Sequence, residues 1–431
     1  MSNLKLIYVI IDGMGDLPIK ELEDKTPLEY AETPNMDFLA SKGKLGLMYT
    51  VERGVAPESH VAAISILGYD PHEYYIRRGP IEAYGAGLEM ADGDLALRCN
   101  FATLGPNGVI IDRRAGRNLT TEEAFELART INETVKLESH PAEFAFKSTV
   151  GYRGVLVMRS KSIPLSDRIS VMDPVYSSVS GLEVAKPSAS MVLRECVPLE
   201  DSKSARVSAA LINEFISKSH RVLEEHEVNK RREAEGKLKA NVIIVRGAGN
   251  TLPKLYSICG KYGVSFACLA DMPVERGVAK LAGMHLIELP PPSKDLTADC
   301  FIRAKKILEN LESFDCFYIH LKGPDEPGHD GNCLLKAKII EIIDEHFFGR
   351  ILSKIDLKDM VICATADHST PCSLRAHSDD PVPVLISGGR IRSDGMKKFS
   401  EKDCKRGSLG IIERGTMLMP LLMEALKRGD V

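Results

Sequence analysis

Short apolar runs alternate with amphipathic stretches at the start of this chain. Residues 4–11 form an apolar run that stops at Asp12, which predicts a buried strand of a parallel sheet with a loop at its carboxyl end. Residues 33–42 begin with a capping Thr and a Pro at the first helical position, and this predicts a helix. Strand, loop and helix in this order are typical of an α/β fold.

The same order returns in the last third of the chain. Apolar runs at 314–321, 359–365 and 382–387 predict three more strands, and a helix is expected over 335–347. The first two of these strands, like residues 4–11, end in polar loops that carry Asp or His. Ligands of open α/β sheets bind outside the carboxyl ends of the strands, so we expect these loops to form a binding site.

The middle of the chain has shorter strands and longer amphipathic helices. Its predicted elements are strands at 94–107, 109–114, 143–146 and 153–160 and helices over 120–134 and 205–225. The charged stretch 224–239 has the composition of a linker. The pattern predicts a discontinuous α/β domain, formed by 1–76 and 254–431, with a smaller α+β domain inserted at 77–253.

Composition excludes several classes of protein. With 44 % hydrophobic and 27 % charged residues in 431 positions, the chain is neither disordered nor fibrous. A net charge of −4 without a basic block argues against a nucleic-acid partner. The apolar run near the N-terminus is too short to span a membrane or to act as a secretory signal. Ten cysteines without a C-x-x-C pair are expected to be reduced thiols of a cytoplasmic protein, and the oligomeric state stays open.

Asp and His side chains gather in the loops that follow the predicted strands. They are Asp12, Asp325, His329, Asp367, His368 and His377. Carboxylate combined with imidazole suits Mn or Zn, whereas an all-oxygen set would suit Mg or Ca. Pro324, Pro327 and Gly328 argue against a helix around the Asp325–His329 pair. The set predicts a site for two divalent metal ions.

Ser59 stands immediately before an apolar helical run at 61–67. A Ser at a helix N-terminus usually acts as a cap. Beside a divalent cation it becomes a nucleophile, because metal coordination lowers the pKa of the hydroxyl and the helix N-terminus favours phosphate oxygens. The residues alone leave both interpretations open.

Arginines of the middle segment are candidate anion binders, since guanidinium groups bind phosphate and carboxylate bidentately. The densest cluster follows a predicted strand and consists of Arg113, Arg114 and Arg117. Further candidates, each more often a solvated surface charge when taken singly, are Arg78, Arg98, Arg246 and Arg276. The Gly-rich segments 12–15 and 247–249 match no dinucleotide fingerprint, which argues against a nucleotide cofactor.

These motifs occur in the same order in one known family. They are residues 12–16, the segment around Ser59, and residues 78–82, 98–103, 112–117, 325–330, 367–371 and 377–383. With them, from about residue 4 to residue 425, the chain closely resembles the archaeal-type 2,3-bisphosphoglycerate-independent phosphoglycerate mutases of the alkaline phosphatase superfamily. The resemblance implies an alkaline-phosphatase-like, doubly wound, mostly parallel sheet with an inserted α+β domain. It also implies metal-dependent interconversion of 3-phosphoglycerate and 2-phosphoglycerate, in glycolysis and gluconeogenesis, through a phosphoserine.

The resemblance further implies a role for each motif residue. One metal ion would be held by Asp12, Ser59, Asp367 and His368, and the other by Asp325, His329 and His377, with Ser59 as nucleophile. Phosphoglycerate would be bound by Arg78, Arg98, Asp112, Arg113, Arg114, Arg117 and Arg246. Arg276, at a position where the family usually has Lys, would act in catalysis. The expected cofactors are two divalent ions, Mn first with Zn, Co or Mg as alternatives, and neither 2,3-bisphosphoglycerate nor a nucleotide.

Two other functions remain open. One is a metal-dependent phosphatase or phosphotransferase of the same superfamily that acts on another small phosphorylated acid. It would need the same metal-site residues and would differ in how firmly the arginines retain glycerate. The other is a catalytically silent relative that binds metal or a partner, which is disfavoured because the nucleophile and every ligand are present.

Overall fold

The computed structural model describes residues 4–74, 77–179, 182–185, 191–293 and 295–428. The chain forms two compact units. The first unit consists of Met1–Tyr75, Lys254–Asp271 and Val278–Val431, and the second of Ile76–Pro253 and Met272–Gly277.

Strands and helices alternate along most of the described chain. The strands are β1 (Lys5–Ile11), β2 (Lys44–Met48), β3 (Leu95–Leu104), β4 (Ile110–Asp112), β5 (Ala142–Ser148), β6 (Arg153–Ser160), β7 (Tyr176–Val179), β8 (Leu182–Ala185), β9 (Val242–Gly249), β10 (Phe266–Leu269), β11 (His285–Leu286), β12 (Cys316–Leu321), β13 (Met360–Thr365), β14 (Val382–Gly388) and β15 (Gly410–Ile412). The α-helices are α1 (Pro27–Tyr30), α2 (Pro34–Lys42), α3 (Ser59–Ile66), α4 (Arg78–Gly85), α5 (Thr121–Thr134), α6 (Lys203–Glu224), α7 (Glu227–Ala234), α8 (Ile258–Tyr262), α9 (Pro273–Leu281), α10 (Leu296–Asn310), α11 (Asp325–Asp330), α12 (Cys333–Ile343), α13 (Gly349–Leu352), α14 (Glu401–Cys404) and α15 (Leu418–Arg428). Short 3-10 turns lie at Lys20–Leu22, Pro106–Gly108, Ala115–Arg117 and Gly415–Met417, and a π-helical turn at Asp344–Phe348.

The first unit is built on an eight-stranded sheet in the order β11-β10-β12-β1-β13-β14-β2-β15. Strand β1 lies between β12 and β13 and is parallel to both, with Ile11 beside Leu321 and Ile10 beside Thr365. Every residue of β12 and β13 is buried, as expected for parallel strands covered on both faces. Strand β14 is antiparallel to both of its neighbours. The predicted mostly parallel α/β sheet is confirmed, and its central strands bring three loops to one edge.

The second unit contains a five-stranded sheet in which β3 pairs with β4, β6 and β9, and β5 pairs with β6. All of these pairs are antiparallel. The core includes a chain of aromatic rings, with Phe101 5.6 Å from Phe146 and Phe146 5.9 Å from Phe215 between ring centroids. The α+β prediction for this part of the chain is confirmed.

Residues 272–277 lie with the second unit, whereas the sequence pattern assigned them to the first domain. Two glycines explain the close approach of α4 and α9. A Cβ on Gly85 would lie 1.8 Å from the carbonyl oxygen of Pro273, and one on Gly277 would lie 2.2 Å from that of Ile81. The absence of a side chain at both positions lets the two backbones touch.

The charged stretch 224–239 is not a linker, because it contains α7 and a fully buried arginine. The Arg232 guanidinium donates to the carbonyl oxygen of Ala115, to the side chain of Asn118 and to the carboxylate of Glu123. A buried arginine with satisfied donors and a solvated arginine contribute equally to the amino-acid composition of a segment. The composition alone therefore gave the wrong prediction of a linker. In the part of the chain described above, no helix is long and apolar enough to cross a membrane.

Candidate functional site

Three parallel strands deliver the predicted carboxylates and imidazoles to one place. Asp12 follows β1 directly, Asp325 begins the helix after β12, and Asp367 and His368 follow β13. The Nε2 atom of His368 lies 3.4 Å from Oδ1 of Asp12 and 3.3 Å from Oδ2 of Asp367. These side chains lie close together because adjacent parallel strands place their carboxyl ends at the same edge of the sheet.

Asp325 is the centre of a second cluster in the first unit. Its Oδ1 atom lies 3.4 Å from Nε2 of His329 and 3.5 Å from Nε2 of His377. The His377 ring stacks on the His368 ring with centroids 3.6 Å apart, which joins this cluster to the Asp12 cluster. All six predicted Asp and His residues are therefore brought together.

The prediction that Asp325 and His329 do not share a helix is wrong, because both lie on α11. Pro324 occupies the N-cap position and Pro327 falls in the first turn, where backbone N–H groups have no acceptor within the helix. Gly328 is required by packing, since a Cβ there would lie 2.5 Å from the carbonyl oxygen of Thr370. The prolines therefore start this helix, and the i,i+4 spacing places the two side chains on one face.

Ser59 is the first residue of α3, and the N-cap position is occupied by Glu58. Its hydroxyl lies 3.3 Å from Nε2 of His368. The interpretation of Ser59 as a simple cap is therefore wrong. The hydroxyl instead lies where the Asp12 cluster meets the N-terminus of a helix, which is the environment that a phosphoryl-accepting oxygen needs.

Backbone carbonyls fix two of the imidazoles. Nδ1 of His377 lies 2.8 Å from the carbonyl oxygen of Pro57, and Nδ1 of His329 lies 3.1 Å from that of Arg375. A carbonyl oxygen can only accept, so each Nδ1 carries a proton, and each Nε2 faces Asp325 and becomes available to a metal ion when it is unprotonated. This arrangement is typical of metal-ligating histidines.

Other partners fix the remaining ligand candidates in the same way. The hydroxyl of Thr370 donates to Oδ1 of Asp325 at 2.7 Å, and it accepts from Nδ1 of His368 at 3.0 Å. The backbone N–H of Gly13 donates to Oδ1 of Asp367 at 3.1 Å. The ammonium of Lys322 lies 3.0 Å from Oδ2 of Asp12. Asp12, Asp367 and His368 thus each have one atom held and another directed into the cluster, whereas Oδ1 of Asp325 has both roles.

His320 is a further ligand candidate that the sequence analysis missed. It is fully buried on β12, and with Asp12 and Asp367 it forms a group whose ligand atoms lie within 4.8 Å of one another. Asp325, His368 and His377 form a second such group. The signal in the sequence is a single His within the apolar run of β12, and one His does not change the prediction of a buried strand.

Burial and neighbouring charges shift the pKa values of these groups. Burial, and then the Asp12 carboxylate, raises the pKa of Asp367 well above its ordinary value. Burial, and then nearby cationic side chains, lowers the pKa values of His320 and His368 to about 3. Burial opposes the charge on His377, but the hydrogen bond to Asp325 outweighs it and raises the His377 pKa to about 9. Opposed shifts within one cluster are characteristic of functional sites.

A divalent metal ion fits this donor set. Oδ1 of Asp12 and Oδ2 of Asp367 are buried and have no hydrogen-bond partner among the described residues. Buried carboxylate oxygens are costly without a partner, and a cation supplies one. Carboxylates with neutral imidazoles are ligands that Mn and Zn accept.

In the second unit, arginines surround one buried carboxylate. Nε of Arg78 lies 2.6 Å from Oε1 of Glu82, and Nε of Arg98 lies 3.7 Å from the same oxygen. Arg246 lies opposite Arg98 on the paired strand β9. Burial, and then the charges of Arg246 and Arg78, lowers the pKa of Arg98 to about 9. Three guanidinium groups thus lie in one cluster, and guanidinium groups are suited to binding phosphate or carboxylate.

The loop after β4 carries the other predicted anion binders. Asp112 accepts hydrogen bonds from the backbone N–H groups of Arg114 and Gly116, so it shapes its own loop. The Arg113 guanidinium pairs with Asp173, and its cation lies over the Tyr176 ring together with that of Arg246. These contacts join Arg113 to the cluster around Glu82.

Known proteins resemble this chain over nearly its whole length. The profile of the family described as 2,3-bisphosphoglycerate-independent phosphoglycerate mutase matches residues 40–229. A protein of that name from Aeropyrum pernix is 42 % identical over 428 residues, which cover 98 % of this chain and 100 % of the relative.

Two solved structures are also similar. The PH0037 protein from Pyrococcus horikoshii is 34 % identical with a TM-score of 0.77, and the alignment covers 99 % of this chain and 98 % of that one. The cofactor-independent phosphoglycerate mutase from Thermoplasma acidophilum is 31 % identical with a TM-score of 0.59, over 97 % of this chain and 99 % of that one. At this identity and coverage, the chain belongs to the family of 2,3-bisphosphoglycerate-independent phosphoglycerate mutases.

Proposed function

We propose that this protein interconverts 3-phosphoglycerate and 2-phosphoglycerate without 2,3-bisphosphoglycerate, through a phosphoserine at Ser59. The observation that carries the proposal is the Ser59 hydroxyl 3.3 Å from Nε2 of His368, inside a cluster of carboxylates and imidazoles. Family membership supports the same reaction, since relatives carry this name. The reaction is a step of glycolysis and gluconeogenesis, and the ten free cysteines agree with a cytoplasmic location.

Two divalent metal ions would be held at the strand-end cluster. We assign Asp12, Ser59, Asp367 and His368 to one ion, with His320 as an additional ligand candidate, and Asp325, His329 and His377 to the other. Mn is the first expectation, with Zn, Co or Mg as alternatives. Bound ions of this kind lower the pKa of a coordinated hydroxyl and neutralise charge on phosphoryl oxygens.

Ser59 accepts the phosphoryl group and returns it. As the Oγ–P bond forms, the P–O bond to glycerate breaks, Oγ loses its proton and the departing glycerate oxygen gains one. In the return step, the other hydroxyl of glycerate attacks the phosphoserine and Ser59 recovers a proton. The positive end of the α3 dipole would stabilise the phosphoryl oxygens beside Ser59, the first residue of that helix.

The second unit retains the glycerate between the two transfers. Arg78, Arg98 and Arg246 would bind the anionic groups of glycerate, and an anion bound there offsets the repulsion that, together with the larger effect of burial, lowers the Arg98 pKa. The binding surface would be extended by Arg113, Arg114 and Arg117, which lie on one loop. Asp112 shapes this loop by accepting hydrogen bonds from its backbone. Arg276 contributes a permanent positive charge, because a guanidinium does not release a proton near neutral pH.

The experiment that tests this proposal is phosphoryl transfer to the protein. Wild-type protein loaded with Mn²⁺ and incubated with 3-phosphoglycerate is expected to gain one phosphoryl group on Ser59, detected by intact-mass and peptide mass spectrometry. Ser59→Ala is expected to lose turnover and labelling. Phosphorylation elsewhere, or turnover by Ser59→Ala, would refute the assignment. Release of free phosphate without 2-phosphoglycerate would make the protein a phosphatase.

A further inference from the structure

A buried lysine contacts the loops that carry the metal-ligand candidates. Lys336 is in the first turns of α12 and is fully buried. Its Nζ lies 3.0 Å from the carbonyl oxygen of Gly15, 2.8 Å from Oδ2 of Asp16 and 2.9 Å from the carbonyl oxygen of Thr370. An ammonium group has three N–H donors, so these contacts use all of them.

The three acceptors belong to two of the ligand-bearing loops. Gly15 and Asp16 follow Asp12 after β1, and Thr370 follows His368 after β13. The hydroxyl of the same Thr370 donates a hydrogen bond to Asp325 and accepts one from His368. A shift of the Thr370 backbone would therefore move two ligand candidates.

Lys336 also belongs to the third ligand-bearing segment. Helix α12 starts three residues after α11, which carries Asp325 and His329, and Asn332 between them donates its backbone N–H to the carbonyl oxygen of Pro327. The Asp16 carboxylate also connects the segments after β1 and β13, because it accepts a hydrogen bond from the backbone N–H of Cys372 at 3.2 Å. One ammonium thus connects the segments that follow β1, β12 and β13.

We propose that Lys336 is a positioning residue of the metal centre, whose buried ammonium holds the three ligand-bearing segments in one arrangement and thereby sets metal affinity. This inference rests on the proposed function in that the cluster binds divalent metal. Lys336 does not touch the ligand atoms. Its effect reaches them through Thr370 and Asp16, in the manner of residues that orient metal ligands from outside the coordination sphere.

The test compares Mn²⁺ affinity in the full-length protein and three variants by isothermal titration. Lys336→Met keeps most of the side-chain stem and removes the ammonium. The double variant Lys336→Met with Asp16→Asn also removes the carboxylate that the single variant would leave buried without its cation. Lys338→Met is the matched control, since Lys338 lies on the same helix with its side chain 67 % exposed.

Lys336→Met is expected to bind Mn²⁺ about 10- to 100-fold more weakly than wild type, and Lys338→Met to bind as wild type does. The double variant is expected to regain thermal stability without regaining metal affinity. With saturating Mn²⁺, Lys336→Met should recover kcat with an unchanged KM for 3-phosphoglycerate.

Two results would overturn the inference alone: wild-type affinity in Lys336→Met, or recovery of affinity together with stability in the double variant. The second result would mean that Lys336 acts only through folding. Failure of the wild-type protein to bind Mn²⁺ would overturn the proposed function and this inference together.

Discussion

Gly13 lies at the point where the first strand turns into the metal cluster, and replacing it with Ala should damage both stability and metal binding. The residue has φ of +63°, and an added Cβ would lie 2.7 Å from Cα of Asp325 and 2.8 Å from Oγ1 of Thr370. Its N–H also donates to Asp367. Gly54, in the same unit, has φ of +79° and nothing within 4 Å of an added Cβ. Comparing Gly13→Ala with Gly54→Ala therefore separates the effect of backbone strain from the effect of steric overlap with the ligand-bearing residues.

The expected magnitudes follow from these two environments. A left-handed conformation disfavours Ala by about 1–2 kcal/mol, and this term applies at both positions. Overpacking adds about 1–3 kcal/mol at Gly13 alone, because its neighbours include the backbone of Asp325, which cannot rotate away. We expect Gly54→Ala to lower the free energy of unfolding by roughly 1 kcal/mol and Gly13→Ala by roughly 3 kcal/mol.

Urea denaturation of both variants and Mn²⁺ titration by calorimetry provide the assay. Gly13→Ala should also weaken Mn²⁺ binding by at least about tenfold, since Asp325 and Asp367 are displaced, while Gly54→Ala should bind as wild type does. Equal destabilisation in the two variants, or unchanged metal affinity in Gly13→Ala, would refute the argument that Gly13 is required by ligand packing.

Three further changes have defined outcomes. Burial raises the pKa of Glu401 to about 7, so the folded protein holds a proton there that the unfolded chain has released, and the free energy of unfolding should fall as pH rises from about 4.5 to about 7. The pKa shift corresponds to a loss of about 3 kcal/mol in the free energy of unfolding, which partial exposure of Glu401 reduces. Glu401→Gln should flatten this pH dependence, as measured by urea unfolding at pH 5 and pH 8. Arg98→Met should lower kcat/KM for 3-phosphoglycerate by about 10- to 100-fold, since a charged hydrogen bond is worth about 1.5–3 kcal/mol; an unchanged value in steady-state kinetics would remove Arg98 from the binding site. His320→Asn should lower Mn²⁺ affinity by about tenfold or more in equilibrium dialysis, and full affinity would exclude His320 as a ligand.

The positions of the Asp and His residues could be predicted because they depend on a simple pattern. Asp12, Asp325 and Asp367 each follow an apolar run, and parallel strands bring such loops to one edge. No residue in the sequence indicates how these side chains are held. Thr370 and Lys336 act through contacts between loops that are distant along the chain, and local patterns carry no information on such contacts.

Two local rules were misleading for physical reasons. Prolines at 324 and 327 argue against a helix, but the start of a helix tolerates Pro because its N–H groups have no intrahelical partner. The charge of residues 224–239 suggests a linker, but Arg232 is buried among carbonyl and carboxylate acceptors. His320 was hidden for the opposite reason, since a single polar residue in an apolar strand does not change the strand prediction.

The most direct test of the central claim is conversion of 3-phosphoglycerate to 2-phosphoglycerate in a continuous assay coupled to enolase. The assay is run without 2,3-bisphosphoglycerate, with Mn²⁺ present or after treatment with EDTA, and free phosphate is followed in parallel. The account predicts conversion that requires the metal, does not respond to added 2,3-bisphosphoglycerate and releases little phosphate. Conversion that requires 2,3-bisphosphoglycerate, or phosphate release without 2-phosphoglycerate, would contradict it.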